Sequence, residues 1–211
     1  HIIEINGICI LRSIQMYKLM GLIITFLFIL NISACANGYM NSFKTENIVL
    51  NPDSEYRLEG LLTIPKEQND KLPAVVLVHG SGSTDMDGTM YEYKPFKDIA
   101  NYLSSNGIAV LRYDKRTYTH GAKMSEDLSA VTAREEIIND AIAAANLLRA
   151  DERIDSNRIF ILGHSLGGML APRIDAEGGD FSGLIICSGS PRKLSEVILE
   201  QLENGLEDLT E

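Results

Sequence analysis

The sequence predicts an α/β fold: a doubly wound, mostly parallel sheet with helices on both faces. Three observations carry that expectation. Short, wholly apolar runs such as Pro73–Val78 and Ile159–Leu162 read as strands covered on both sides. The stretches between them carry apolar residues at helical spacing, and the runs end in glycine- or aspartate-bearing turns. With 211 residues, 45% apolar and 23% charged, the chain is long enough for one good core.

Residues 1–15 are set aside as an upstream, non-native segment, because the first residue is His1 and Met16 stands where an export signal should begin. Residues 16–34 read as that signal: Lys18 ahead of an apolar core from Leu22 to Leu30, then small residues up to Ala34. Leu19–Ile32 is short for a comfortable membrane span. Residues 35–44 read as a polar linker, and 45–211 as the folded domain. Ile48–Leu50 and Tyr56–Ile64, separated by Asn51-Pro52-Asp53, form an expected antiparallel edge pair with Leu62 and Ile64 facing the core.

Pro73–Val78 is the first parallel strand. Phe96, Ile99, Ala100 and Leu103 mark a helix that stops at Asn106-Gly107, and Ile108–Tyr113 is the next strand. Thr132 with Glu135 makes a capping box ahead of Ile138, Ala141, Ile142, Ala145 and Leu148. Ile159–Leu162 follows, then a helix from Leu166 to Ala176 in which Pro172 predicts a kink or an early end, then the strand Phe181–Cys187.

The chemistry is concentrated in Gly163-His164-Ser165-Leu166-Gly167, set between a strand and a helix. A sharp turn there lifts a serine hydroxyl above the sheet edge, and the flanking glycines avoid collision with neighbouring backbone. Ser165 is the expected nucleophile. The oxyanion formed by its attack needs preorganised N–H donors. Leu166, at the helix start, supplies one from its main chain. The loop His79-Gly80-Ser81-Gly82 after the first parallel strand supplies the other, assigned to the Ser81 N–H. Gly80 and Gly82 let the backbone approach the substrate, and His79 braces the loop. His164 is held in the turn, pointing away from the serine.

These two motifs, with their order and spacing, resemble an alpha/beta hydrolase of the serine aminopeptidase-like and bacterial carboxylesterase branch. Asp85-Met86-Asp87-Gly88, Lys94-Pro95-Phe96-Lys97-Asp98 and Arg112-Tyr113-Asp114-Lys115-Arg116-Thr117 sharpen the likeness, which covers Thr45 to Glu211. It implies a small-molecule ester substrate with a short acyl chain, cleaved through an acyl-enzyme. In such a fold the triad acid and the histidine follow the serine in the chain. No histidine follows Ser165 here. The expectation is therefore a sheet cut after its sixth strand and the start of a cap at Leu194–Leu202, with acid and base beyond Glu211 and the 211 residues inactive on their own. His120, expected in a polar loop, is the nearest alternative base. Asp114 is read as a loop-fixing residue paired to Lys115 or Arg116. Asp85 and Asp87 are read as a turn or the rim of the acyl pocket, because a calcium loop would need further ligands.

A net charge of −10 without a basic cluster argues against a nucleic-acid partner. Three cysteines at unrelated spacing give neither a disulfide framework nor a metal pattern, and no metal or cofactor is expected. Cys187 reads as a buried core thiol. Cys35, directly after Ile32-Ser33-Ala34, resembles the lipidated residue of a bacterial lipoprotein, which implies a lipid anchor on the outer face of a membrane. A simple signal peptide or an uncleaved anchor is the alternative. For function the rivals are peptide or amide cleavage on the same fold, and a binding lipoprotein without chemistry.

Overall fold

Alternation decides which face each strand residue meets. In the computed structural model, which describes residues 42–67 and 69–207, six strands form one mixed sheet. They are β1 (Phe43–Leu50), β2 (Leu58–Pro65), β3 (Leu72–Val78), β4 (Ala109–Tyr113), β5 (Ile154–His164) and β6 (Gly183–Cys187). Their order is β1-β2-β4-β3-β5-β6. The four strands β4-β3-β5-β6 run parallel, and β1 and β2 are antiparallel at one end. The expected edge pair is present, with Leu62 and Ile64 fully buried. Strand β1 begins two residues inside the stretch read as linker. Cys35 and the export signal lie outside the described residues.

Five helices complete the unit: α1 (Pro95–Ser105), α2 (Arg116–Met124), α3 (Asn139–Ala150), α4 (Leu166–Ile174) and α5 (Leu194–Glu207). Ala74, Val76 and Val78 of β3 face the side carrying α3 and α4, where Ile138, Ala141, Leu148, Leu166 and Ile174 join one core. Val75 and Leu77 face the other side, against Phe96 and Ala100 of α1. The period of two thus feeds two cores from one strand.

Helix starts and stops follow local chemistry. Pro95 opens α1, where a missing N–H costs nothing, and Gly107 takes φ 85° after its end. The Thr132–Glu135 capping box is present: Thr132 N–H donates to the Glu135 carboxylate at 3.2 Å, and Arg134 N–H to the Thr132 hydroxyl at 3.2 Å. It starts a wide π turn (Arg134–Ile138) that runs on into α3. Helix α4 does end early: Pro172 lies in its last turn and a second π turn, Asp175–Gly179, replaces further helix.

Strand β6 has one described neighbour, β5. Ile185 and Ile186 are consequently 43% and 50% exposed, and Leu194, Ile198, Leu199 and Leu202 of α5 are also open. Cys187 is half-buried instead of buried, because an edge strand is covered less than a central one.

Candidate active site

Parallel strands bring their carboxyl ends to one sheet edge, and four loops meet there: His79–Gly82, Tyr113–Lys115, Gly163–Ser165 and Cys187–Ser188. Ser165 sits between β5 and α4 at φ 51°, ψ −116°, a conformation that costs a residue with a Cβ on the order of 1–3 kcal/mol. The surroundings enforce it. Ser165 N–H donates to the Cys187 carbonyl at 2.8 Å, and its own carbonyl accepts from Met169 N–H at 2.9 Å.

The two flanking glycines are sterically obligatory. A Cβ on Gly163 would overlap the Gly167 carbonyl, and a Cβ on Gly167 would lie 2.5 Å from the Val78 carbonyl oxygen and overlap that of His79. The end of β3 and the start of α4 therefore touch through backbone alone. This contact also brings the glycine loop to the serine: a Cβ on Gly80 would stand 3.1 Å from Ser165 Cβ and 3.3 Å from His164 Nδ1. Gly82 has open space around it and takes φ 85°, a conformation that favours glycine. Leu166 is the first residue of α4, so its N–H precedes the helix's own ladder. Among the described residues no main-chain acceptor claims the Ser81 N–H.

The three histidines among the described residues occupy different places. His79 is buried, packed against Phe96 and Tyr113 with ring centres 4.9 and 5.8 Å away, and its Nε2–H donates to the Asp85 carbonyl at 2.9 Å. This bond ties the start of the glycine loop to the Asp85 turn. His164 is exposed. His120 is not in a polar loop: it belongs to α2, stacks edge-on with Tyr56, and donates to the Arg57 carbonyl at 2.8 Å.

Asp114 does fix a loop, but not through Lys115 or Arg116. Its carboxylate accepts from Met86 N–H at 2.8 Å, while burial pushes its pKa up. Arg116 instead forks onto buried Asp140 at 3.0 and 2.5 Å. The Asp85 carboxylate takes Thr89 N–H at 2.8 Å and the Thr89 hydroxyl at 2.6 Å, and its carbonyl accepts from Gly88 N–H at 3.0 Å, which closes the turn. Asp87 holds Arg112 and Lys94, each at 3.0 Å; burial pushes its carboxyl up, yet the two cations outweigh this and hold it below the ordinary value. No cluster able to hold a metal ion occurs among the described residues.

Sequence reasoning gave Lys115 no role beyond its motif except as an alternative partner for Asp114. Its side chain is 2% exposed, pairs with Glu136 at 2.5 Å, and donates to the carbonyls of Gly80 and Gly82, each at 2.9 Å. Only its position in the Arg112–Thr117 motif signalled it, since a lysine between an aspartate and an arginine otherwise reads as solvated surface.

Burial of His79 has a consequence for stability. Desolvation lowers its pKa from 6.5 to about 4, so between those values only the unfolded chain takes the proton. The contribution of His79 is whole above pH 6.5 and declines as pH falls toward 4, by on the order of 3 kcal/mol. His79→Gln should flatten the pH dependence of the urea midpoint across this window relative to the wild type. Equal slopes in both proteins would show that the ring titrates alike folded and unfolded.

Residues 75–209 match the alpha/beta hydrolase family. Esterase EstD of Thermotoga maritima is 45% identical over 162 residues, covering 77% of this chain and 36% of that protein. The chain thus spans about a third of the length of this curated relative. The dienelactone hydrolase of Anabaena variabilis is similar in fold, with a TM-score of 0.52 at 20% identity over 72% of this chain and 66% of that one. A dienelactone hydrolase-like promiscuous phosphotriesterase from metagenomic libraries gives 0.52 at 16% identity, over 74% of this chain and 64% of that one. The family match spans most of the folded unit and includes the serine turn between β5 and α4: this chain belongs to the alpha/beta hydrolase family.

Proposed function

We propose that the full-length protein hydrolyses carboxylic esters of short acyl chain through an acyl-enzyme on Ser165. The observation that carries this reading is the strained, glycine-flanked turn that sets Ser165 beside the Gly80 loop. The 45% identity to a protein named as an esterase supports the substrate class. Ser165 Oγ attacks the acyl carbon and its proton passes to a base. His79 and His120 both donate to main-chain carbonyls and His164 is held in the turn directly before the serine, so the reading takes the base to be a histidine from outside the described residues. The N–H groups of Ser81 and Leu166 hold the oxyanion. The tetrahedral intermediate collapses, the C–O bond to the alcohol breaks, and the alcohol leaves with the proton. Water then attacks the acyl-enzyme and frees the acid and Ser165.

The same reading has the protein held at a membrane through a lipid on Cys35, where two or more acyl chains would anchor it stably. A fluorophosphonate should form one adduct, mapped by mass spectrometry to the peptide containing Ser165, in a protein that turns over p-nitrophenyl acetate. An adduct on another residue would sink the assignment. Labelled palmitate should enter the wild type and not Cys35→Ala; equal incorporation would remove the anchor.

A further inference from the structure

We propose that Lys115 is a positioning residue for the oxyanion hole: its buried ammonium holds the Gly80 and Gly82 carbonyls and thereby turns the Ser81 N–H away from itself, toward the nucleophile side of the loop. The inference rests on the reading of Ser165 and Ser81 given above and deepens it.

In a trans peptide the C=O of one residue and the N–H of the next point in opposite directions within one plane. The Gly80 carbonyl and the Ser81 N–H share such a plane. Lys115 Nζ donates to the Gly80 carbonyl at 2.9 Å, so the Ser81 N–H is directed away from Lys115. A second bond at 2.9 Å to the Gly82 carbonyl fixes the following residues, where φ 85° at Gly82 leaves the backbone without side-chain restraint of its own. The Gly80 α-carbon stands against the serine, as the position of its missing Cβ shows. The loop thus has a serine-facing side and a lysine-facing side.

Two further bonds lock it to the segment after β4. Lys115 N–H donates to the Thr84 carbonyl at 3.1 Å, and the Ser83 hydroxyl to the Thr117 carbonyl at 3.3 Å. Glu136 supplies the counter-charge that lets an ammonium remain buried. An ammonium has three donors and no acceptor, and here two carbonyls and one carboxylate account for all three. A glycine loop carries little conformational preference of its own. Preorganisation of its donor, which is what an oxyanion hole contributes to rate, is then supplied from the side by this clamp.

The test compares wild type, Lys115→Met and Lys115→Arg in the full-length protein. Steady-state ester hydrolysis is measured together with inhibition by a trifluoromethyl ketone, whose adduct with the serine carries an oxyanion that occupies the hole. Lys115→Met should lower kcat about 10- to 100-fold, less than deleting a donor outright, with KM within about 2-fold. The inhibition constant for the ketone should rise by the same factor as kcat falls. Lys115→Arg, which keeps a cationic donor, should recover part of both. If Lys115→Met does not fold, Lys115→Gln, a shorter neutral donor, carries the same comparison.

An unchanged kcat in a folded Lys115→Met or Lys115→Gln overturns the inference. So does a loss of kcat without weaker ketone binding, which would mark a general structural role, and so does failure of both neutral variants to fold. If the wild type itself neither hydrolyses esters nor reacts with a fluorophosphonate, the underlying reading fails instead. That outcome is seen without any Lys115 variant.

Discussion

Ser165→Ala is expected to remove nearly all ester turnover and all capture by a fluorophosphonate while leaving the fold in place. Alanine keeps the Cβ that serine already carries at φ 51°, so no new strain is introduced and only Oγ is lost. The N–H of residue 165 still reaches the Cys187 carbonyl, and its carbonyl still receives Met169. On the proposed mechanism what remains is binding and the oxyanion donors, which in serine hydrolases leave a residual acceleration of roughly 10³–10⁴ over water. A fall in kcat of at least about 10³-fold is expected, with the unfolding midpoint near that of the wild type. Retention of full activity would end the serine mechanism. Ser165→Gly adds a stability readout. Glycine accepts this backbone conformation without a Cβ penalty, so it should exceed Ser165→Ala by about 1 kcal/mol in unfolding free energy.

Gly167→Ala should be among the most destabilising single methyl groups that can be added to this chain. The new carbon would meet the carbonyl oxygens of Val78 and His79, both main chain, with the Val78 oxygen at 2.5 Å. Backbone at the end of a central strand cannot rotate aside as a side chain can. Helix α4 must therefore retreat from β3, which also separates Ser165 from the Gly80 loop. A loss on the order of 3 kcal/mol or more, with activity lost in parallel, is expected from overpacking against fixed atoms. Gly121→Ala is the control: nothing lies within 4 Å of its added carbon, and its φ is not positive. In α2 that change should be neutral or stabilising by about 0.5–1 kcal/mol. Urea unfolding of the three proteins measures both effects. A Gly167→Ala protein as stable as the wild type would mean that helix and strand do not meet through backbone.

Gly163 and Gly167 show why part of the site is legible in the sequence. A pentapeptide between an apolar strand and a helix has few ways to turn, and the Cβ collisions at its first and last positions demand glycine there. The capping box of Thr132 and Glu135 is legible for a similar reason, since its bonds span three residues. His120 and Asp114 show the opposite case. Asp114 sits beside Lys115 in sequence and His120 in a polar stretch, yet their partners are Met86 and Arg57, tens of residues away. Charge proximity along the chain says nothing about which atoms meet across the sheet edge.

The order of apolar runs and turns determined by itself that this chain builds a mostly parallel sheet with a serine on a strand-to-helix turn, because period, propensity and glycine sterics act within a few residues. Tertiary structure alone decided the rest. It paired Arg116 with Asp140, left Cys187 half-buried at an edge, and buried Lys115 beneath the Gly80–Gly82 loop. A buried ammonium is tolerated only where carbonyls and a carboxylate converge on it, and here they come from two segments, Gly80–Gly82 and Glu136, both distant from Lys115 in the chain.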